Sequence, residues 1–130
     1  MGEMRKKKKI LIVDDERAIL RILSIKLRVS GYDVITALGG QEALTLISSG
    51  SPDVVLLDIV MPDIDGFEVL RQVRTVSELP VIVFSARPEI GQKALNSGAN
   101  DFIAKPFDVD YLVQRVARLV NNRNSRPSRL

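Results

Sequence analysis

The segment VVLLDIVMPDIDGFE, residues 54–68, decides the fold class, because in it an apolar run leads directly into a charge and a turn. The four apolar residues at 54–57 are typical of a strand that is covered on both faces, as strands of a parallel sheet are. Asp58 follows directly, and Met-Pro and Asp-Gly pairs then interrupt regular structure. A buried strand that ends on a carboxylate raises the question of what that charge does.

Four further segments have the composition of strands, and segments with helical periodicity separate them. Residues 10–13 and 81–84 are continuous apolar runs, whereas DVITA from Asp33 and DFIA from Asp101 are weaker candidates. Apolar residues share helix faces in four places: Ile19, Leu23 and Leu27; Ala43 and Ile47; Phe67, Leu70 and Val73; Leu112, Val116 and Val120. Gly31, Gly50 and Gly98 stand where helices should stop. This alternation predicts βαβ units, and therefore an α/β fold with a parallel sheet and helices on both faces.

Composition excludes several classes of function. The 130 residues suffice for one domain of ordinary size and contain neither cysteine nor histidine. Without these residues the chain has no disulfide, no thiolate nucleophile, no Ser-His-Asp triad and no phosphohistidine of its own.

The net charge of +3 is unevenly distributed. Residues 1–9 contain five basic residues and one acidic residue, and residues 121–130 contain three arginines, so the body between them has a net charge of −4. No aromatic residue interleaves the basic ones, so we expect a solvated tail at residues 1–8 and no direct nucleic-acid contact. Residues 122–130 form a polar tail or the start of a linker. The apolar run at 10–13 is too short for a signal peptide or a membrane span, so we expect a cytoplasmic protein without membrane contact.

Five polar residues stand at or just after the ends of predicted strands: Asp14, Asp15, Asp58, Ser85 and Lys105. In an open parallel sheet, ligands bind outside the carboxyl ends of the strands, so we expect these side chains to converge on one edge. Grouped carboxylates repel one another unless a cation lies among them, and hard oxygen ligands suit Mg²⁺.

Each of these residues alone has a simpler interpretation. A single aspartate after a strand commonly caps a helix, a serine commonly lies in a turn, and a lysine commonly lies on the surface. The joint pattern favours a site, since independent capping preferences seldom place five such residues at strand ends.

The motifs VDDE, LLDIVMPDIDGFE, VFSA and GANDFIAKPF, in this order, resemble those of the receiver domain of bacterial response regulators. The resemblance covers residues 9–121. It implies a flavodoxin-like, doubly wound sheet of five strands in the order 2-1-3-4-5. It also implies a domain that accepts a phosphoryl group from the phosphohistidine of a sensor histidine kinase or phosphotransfer protein, and that acts on a downstream protein effector or a fused output domain.

The resemblance further implies a role for each site residue. Asp58 is the phosphoacceptor, Asp15 a direct Mg²⁺ ligand and Asp14 a ligand acting mostly through water. Asp58 and the backbone carbonyl of Val60 complete the protein ligands of the metal.

Three further residues take the positions of conserved parts of the resembled family. Ser85 takes the position of the hydroxyl residue that hydrogen-bonds the phosphoryl group, and Lys105 that of the ion-pairing lysine. Phe102 takes the position of the aromatic switch, which works together with the hydroxyl residue. The Lys105-Pro106 bond takes the position of a cis peptide.

One segment departs from the family pattern. The interval from Ser85 to Gly98 is about two residues shorter than usual, which predicts a shortened fourth helix or leading loop. Pro88 and Gly91 in this interval favour a weak helix. Because a phenylalanine loses no hydrogen bond on burial, we also predict that Phe102 is already substantially inward without phosphorylation.

Two alternatives stay open. Phosphatases of the haloacid dehalogenase type also use an aspartate nucleophile and Mg²⁺, but they carry a second aspartate two positions later, where this chain has Val60. A pseudo-receiver would bind partners without being phosphorylated, and the presence of all five site residues disfavours it.

Overall fold

The computed structural model describes the backbone of residues 7–125 and the side chains of residues 7–121. The strands are β1 Lys9–Val13, β2 Asp33–Ala37, β3 Val54–Asp58, β4 Val81–Ser85 and β5 Asp101–Ala104. The helices are α1 Arg17–Val29, α2 Gly40–Gly50, α3 Gly66–Arg74, α4 Gly91–Asn96 and α5 Val109–Ser125, and a 3₁₀ turn, Pro88–Ile90, precedes α4. All five predicted strands are confirmed.

The strands form one parallel sheet in the order β2-β1-β3-β4-β5, as predicted. Val13 of β1 pairs with Leu57 of β3, and Asp58 of β3 pairs with Phe84 of β4. The pairing of Val13 with Leu57 brings the carboxyl ends of β1 and β3 to the same level.

Side chains alternate between two apolar clusters, one on each face of the sheet. Leu57 on one face packs with α2, α3 and α4, whereas Leu56 on the other packs with α1 and α5. Because both faces are covered, the central strands are apolar throughout until they reach the sheet edge. Every residue on the predicted apolar helix faces packs into one of these clusters.

Helix ends follow the expected chemistry with one exception. Gly31 and Gly98 have φ of 102° and 108°, a left-handed conformation in which glycine lacks the steric cost of a side chain. The helix α2 does end at Gly50, but the left-handed residue is Ser51, with φ of 48°. A serine can adopt this conformation at a modest cost, which the sequence does not signal.

The fourth helix, α4, has only six residues. This confirms the short helix that the interval between Ser85 and Gly98 predicts. The helix α5 continues to Ser125, past the domain boundary that we predict at residue 121, and that boundary stays a prediction. The predicted tails, residues 1–8 and 122–130, lie outside the described residues at 1–6 and 126–130. Within residues 7–125, no helix is long and apolar enough to cross a membrane.

The apolar cluster between the sheet and helices α1 and α5, which contains Leu56 of β3, should contribute strongly to the stability of the fold. Leu56→Ala removes a fully buried side chain and should lower the free energy of unfolding by about 2 to 5 kcal/mol. Val76→Ala is the control, because that side chain is 84% exposed and its loss should cost less than about 0.5 kcal/mol. Urea unfolding measures both; similar midpoints for the two variants would contradict this packing.

Candidate functional site

The carboxyl ends of β1 and β3 bring three carboxylates together. Asp14 directly follows Val13, and Asp58 directly follows Leu57, which is the register partner of Val13. Carboxylate oxygens of Asp14, Asp15 and Asp58 lie within 4.8 Å of one another. Asp14 is buried, Asp58 is only 5% exposed, and Asp15 is exposed. The predicted convergence of these three residues is therefore present in the structure.

Helix capping does not explain Asp58. The N-cap of α3 is Asp65, whose side chain accepts a hydrogen bond from the backbone N–H of Glu68 at 3.0 Å. Near α1, Glu16 is the N-cap, and its backbone N–H donates to Asp14 Oδ1 at 2.8 Å. Asp14 thus closes a local turn with Oδ1, while Oδ2 is not used in this turn.

Lys105, directly after the end of β5, brings a positive charge to the cluster. Its Nζ lies 2.8 Å from Asp14 Oδ2 and 3.7 Å from Asp58 Oδ1, and its side chain is 15% exposed. The ammonium also lies 4.8 Å from the centre of the Phe84 ring, and the Lys105-Pro106 peptide bond is cis. The lysine is therefore closest to Asp14, with Asp58 as its second partner.

Sequence reasoning missed one charged neighbour. Glu16 Oε1 lies 3.9 Å from Lys105 Nζ on an exposed side chain. Its position directly after Asp14 and Asp15 in VDDE is the signal that could have identified it.

Burial and negative charge together raise the pKa of Asp58 to about 6. Burial is the largest cause, and the charge of Asp14 is the second. The ammonium of Lys105 and the backbone N–H of Val60 lower the pKa in part, and Asp15 adds a smaller increase. The site therefore disfavours a full set of ionised carboxylates when no cation is added.

Ser85 ends β4 next to Phe84, the register partner of Asp58. The serine is buried, and its Oγ accepts a hydrogen bond from the backbone N–H of Arg87 at 3.1 Å. The turn interpretation of this serine is therefore correct in part. A hydroxyl that accepts in this way still has a proton to donate.

The loop after Asp58 lies tightly against the start of α3. The backbone N–H of Gly66 donates to the carbonyl of Ile59 at 2.8 Å. A Cβ at Gly66 would lie 2.5 Å from the carbonyl oxygen of Asp58, so this close approach requires glycine. Val60 is at the exposed part of the same loop.

Phe102 is partly buried and packs against the cluster that contains Leu57. A Cβ at Gly91, the first residue of α4, would lie 2.9 Å from Phe102 Cδ2. The ring thus occupies space that only glycine leaves free. The sequence signalled Gly91 as a weak point of the helix but not as a contact for this ring.

The donor set matches the chemistry of Mg²⁺. Three carboxylates at the carboxyl edge of the sheet offer hard oxygen ligands, and the Val60 carbonyl lies on the loop that follows β3. A divalent cation among them would also relieve the repulsion that raises the pKa of Asp58.

Comparison with known proteins identifies the family. The family described as response regulator receiver domain matches residues 10–117. The response regulator MprA of Mycolicibacterium vanbaalenii is 44% identical over 115 residues, which are 86% of this chain and 50% of that protein. The probable transcriptional regulator ycf27 of Cyanophora paradoxa is 41% identical over 116 residues, which are 88% of this chain and 48% of that protein. The chain thus spans about half the length of these curated relatives.

Solved structures agree in fold and family. The receiver domain of the Francisella response regulator 1452 superposes with a TM-score of 0.85 at 35% identity, covering 89% of this chain and 98% of that one. The response regulator TrrA of Thermotoga maritima, in complex with Mg²⁺-BeF, superposes with a TM-score of 0.80 at 36% identity, covering 86% and 98%. Receiver domains of this family are phosphoacceptors rather than classical enzymes. The chain belongs to the response regulator receiver family and is a receiver domain of a two-component system.

Proposed function

We propose that Asp58 accepts a phosphoryl group from the phosphohistidine of a partner kinase or phosphotransfer protein. A carboxylate oxygen of Asp58 attacks phosphorus, the new O–P bond forms as the P–N bond breaks, and the electron pair returns to the imidazole nitrogen of the partner. The observation that carries this proposal is a buried carboxylate at a strand end, 3.7 Å from an ammonium and beside two further carboxylates.

Charge compensation is what the site residues contribute to this transfer. When bound, Mg²⁺ would supply positive charge that offsets the carboxylates and the incoming phosphoryl oxygens. Asp14, Asp15, Asp58 and the Val60 carbonyl would hold it, and the similar protein TrrA was solved in complex with Mg²⁺-BeF. Since phosphoryl transfer depends mainly on positioning and electrostatics, the domain would in this way assist its own phosphorylation and dephosphorylation.

Lys105 and Ser85 would bind the transferred group from two sides. The Lys105 ammonium would pair with a phosphoryl oxygen after attachment to Asp58. The Ser85 hydroxyl would donate its proton to a second oxygen while it accepts from the Arg87 N–H. These two contacts give the phosphorylated state a geometry that the free state lacks.

The switch would link Ser85 to Phe102. When Ser85 turns toward the phosphoryl group, Phe102 packs more fully against the space that it leaves. The partly buried position of Phe102 supports our expectation that the ring is already inward without phosphorylation. Phosphorylation would then shift an existing population rather than create a new one. The short α4, which contacts Phe102 at Gly91, would then be the element that partners read.

The switch controls a partner or an output domain. The relatives MprA, a response regulator, and ycf27, a probable transcriptional regulator, are about twice as long as the matched region. We place the domain at about residues 9–121, in the cytoplasm, with its output in a downstream effector or a fused domain. A phosphatase is disfavoured because Val60 supplies no second carboxylate.

The first prediction here concerns the acceptor. Acetyl phosphate and Mg²⁺ should add one phosphoryl group, stable in acid and labile in base, because an acyl phosphate forms at Asp58. Intact-protein mass spectrometry should show no addition to Asp58→Asn and normal addition to Asp65→Asn, the control from the same loop. Equal labelling of Asp58→Asn would refute the assignment, and an unlabelled wild type would favour the pseudo-receiver.

The second prediction concerns pH in metal-free buffer. The pKa of Asp58 is about 6 in the folded protein against an ordinary value of 3.8, so the folded state binds its proton more tightly. Ionisation of Asp58 therefore destabilises the fold as pH rises through this window. Asp58→Asn should be more stable than the wild type by about 1 to 3 kcal/mol above pH 6, a gain that shrinks toward pH 4. Urea unfolding with EDTA tests this; a gain that is constant with pH would contradict it.

The third prediction concerns the contact between Phe102 and Gly91. Gly91 has helical φ and ψ of −57° and −46°, so alanine there would ordinarily stabilise by about 0.5 to 1 kcal/mol. The added Cβ would displace the Phe102 ring, so we expect Gly91→Ala to lose this gain in the wild type and to recover it in a Phe102→Ala background. A double-mutant cycle of unfolding free energies should give a coupling of about 1 kcal/mol, and additive effects would rule out the contact.

A further inference from the structure

The loop that follows the acceptor strand supplies a cap to a different helix. Asp63 accepts two hydrogen bonds from the start of α2, one from the Gly40 N–H to Oδ1 and one from the Gln41 N–H to Oδ2, both at 3.0 Å. The residue at the N-cap position of α2 is Gly39, which has no side chain to cap the helix. The orphan amides of α2 are thus satisfied by a carboxylate more than twenty residues away.

Independent steric observations show that the loop lies directly on this helix end. A Cβ at Gly40 would lie 2.4 Å from Ile64 Cγ1 and 2.8 Å from the Ile64 carbonyl oxygen. A Cβ at Gly39 would lie 3.0 Å from both carboxylate oxygens of Asp63. The glycine pair therefore leaves the room that Asp63 and Ile64 occupy. The hydrogen bonds fix Asp63 at the start of α2, and the absence of side chains at Gly39 and Gly40 allows Asp63 and Ile64 to lie there.

Asp63 also carries charge that suits this position. The two amide hydrogen bonds, that from Gln41 first and that from Gly40 second, hold the pKa of Asp63 below its ordinary value. A negative charge at a helix N-terminus is favoured by the helix dipole. The side chain is exposed, so its role lies in where it fixes the loop rather than in burial.

We propose that Asp63 is a positioning residue for the metal site, which holds the loop so that the Val60 carbonyl faces the carboxylate cluster. The proposal rests on the proposed function, because it takes Val60 as a Mg²⁺ ligand. At its base the loop is closed by the hydrogen bond from Gly66 N–H to the Ile59 carbonyl. Asp63 provides a second anchor, three residues after Val60, on α2, which packs in the same apolar cluster as α3.

The size of the effect follows from this indirect geometry. Residues that hold a metal ligand through a direct hydrogen bond commonly change metal affinity by about 10- to 100-fold. Asp63 acts through three residues of backbone, so we expect Asp63→Ala to weaken Mg²⁺ binding by about 3- to 10-fold. Asp63→Asn retains one acceptor oxygen and should give an intermediate affinity.

The test measures Mg²⁺ binding to the whole chain by calorimetric titration, together with amide hydrogen exchange in the metal-free protein. In Asp63→Ala the amides of Gly40, Gln41 and residues 60, 61, 63 and 64 should exchange faster than in the wild type. Labelling by acetyl phosphate should slow at low Mg²⁺ and recover at saturating Mg²⁺, since only the affinity has changed. Gly40→Ala, which displaces Ile64 with Asp63 intact, should weaken Mg²⁺ binding as well.

Asp53→Ala is the matched control. Its carboxylate accepts a hydrogen bond from the Lys9 N–H at 2.8 Å, at the opposite edge of the sheet, so its loss should leave Mg²⁺ affinity unchanged. Wild-type affinity in Asp63→Ala, or equal weakening in Asp53→Ala, would overturn this inference and leave the proposed function intact. A wild-type protein that binds no Mg²⁺ would overturn both.

Discussion

Three carboxylates meet at the carboxyl edge of a sheet whose strands β3 and β4 are apolar up to their last residues, and the geometry of the site depends on this crowding. Asp14 and Asp58 are buried because the strands that carry them are covered by helices on both faces. Lys105 offsets part of the charge across 91 residues of sequence, and its shortest contact is with Asp14 rather than Asp58. The remaining burial and repulsion raise the pKa of Asp58. A divalent cation among the carboxylates, or protonation of one of them, relieves this repulsion.

The β3–α3 loop, residues 59–65, joins the carboxylate cluster to the helices packed on one face of the sheet. Gly66 lets α3 approach the end of β3, and Gly40 lets the same loop rest on α2. Asp65 caps α3 and Asp63 caps α2, so two acidic residues of one short loop fix two helices. The segment that follows Asp58 is therefore anchored to both α2 and α3.

Much of the fold and part of the site could be predicted from the sequence. The strands were predictable because residues buried on both faces leave continuous apolar runs, and the convergence of Asp14, Asp15 and Asp58 follows from parallel strands ending at one edge. The capping of α2 by Asp63 and the contact of Gly91 with Phe102 were not predictable, because each joins distant segments and leaves no periodic signal. Ser51 likewise adopts a left-handed conformation, which a glycine such as neighbouring Gly50 adopts at lower steric cost.

The most direct test of the account is the melting temperature as a function of Mg²⁺ concentration, in the wild type and in Asp15→Ala, with NaCl at matched ionic strength as the control for screening. A ligand that binds only the folded state stabilises it increasingly with concentration. We predict that the wild-type melting temperature rises with Mg²⁺ well beyond the NaCl control, and that Asp15→Ala loses most of this rise. Wild-type melting temperatures that are the same in Mg²⁺ and in matched NaCl would contradict the claim that these carboxylates form a metal site.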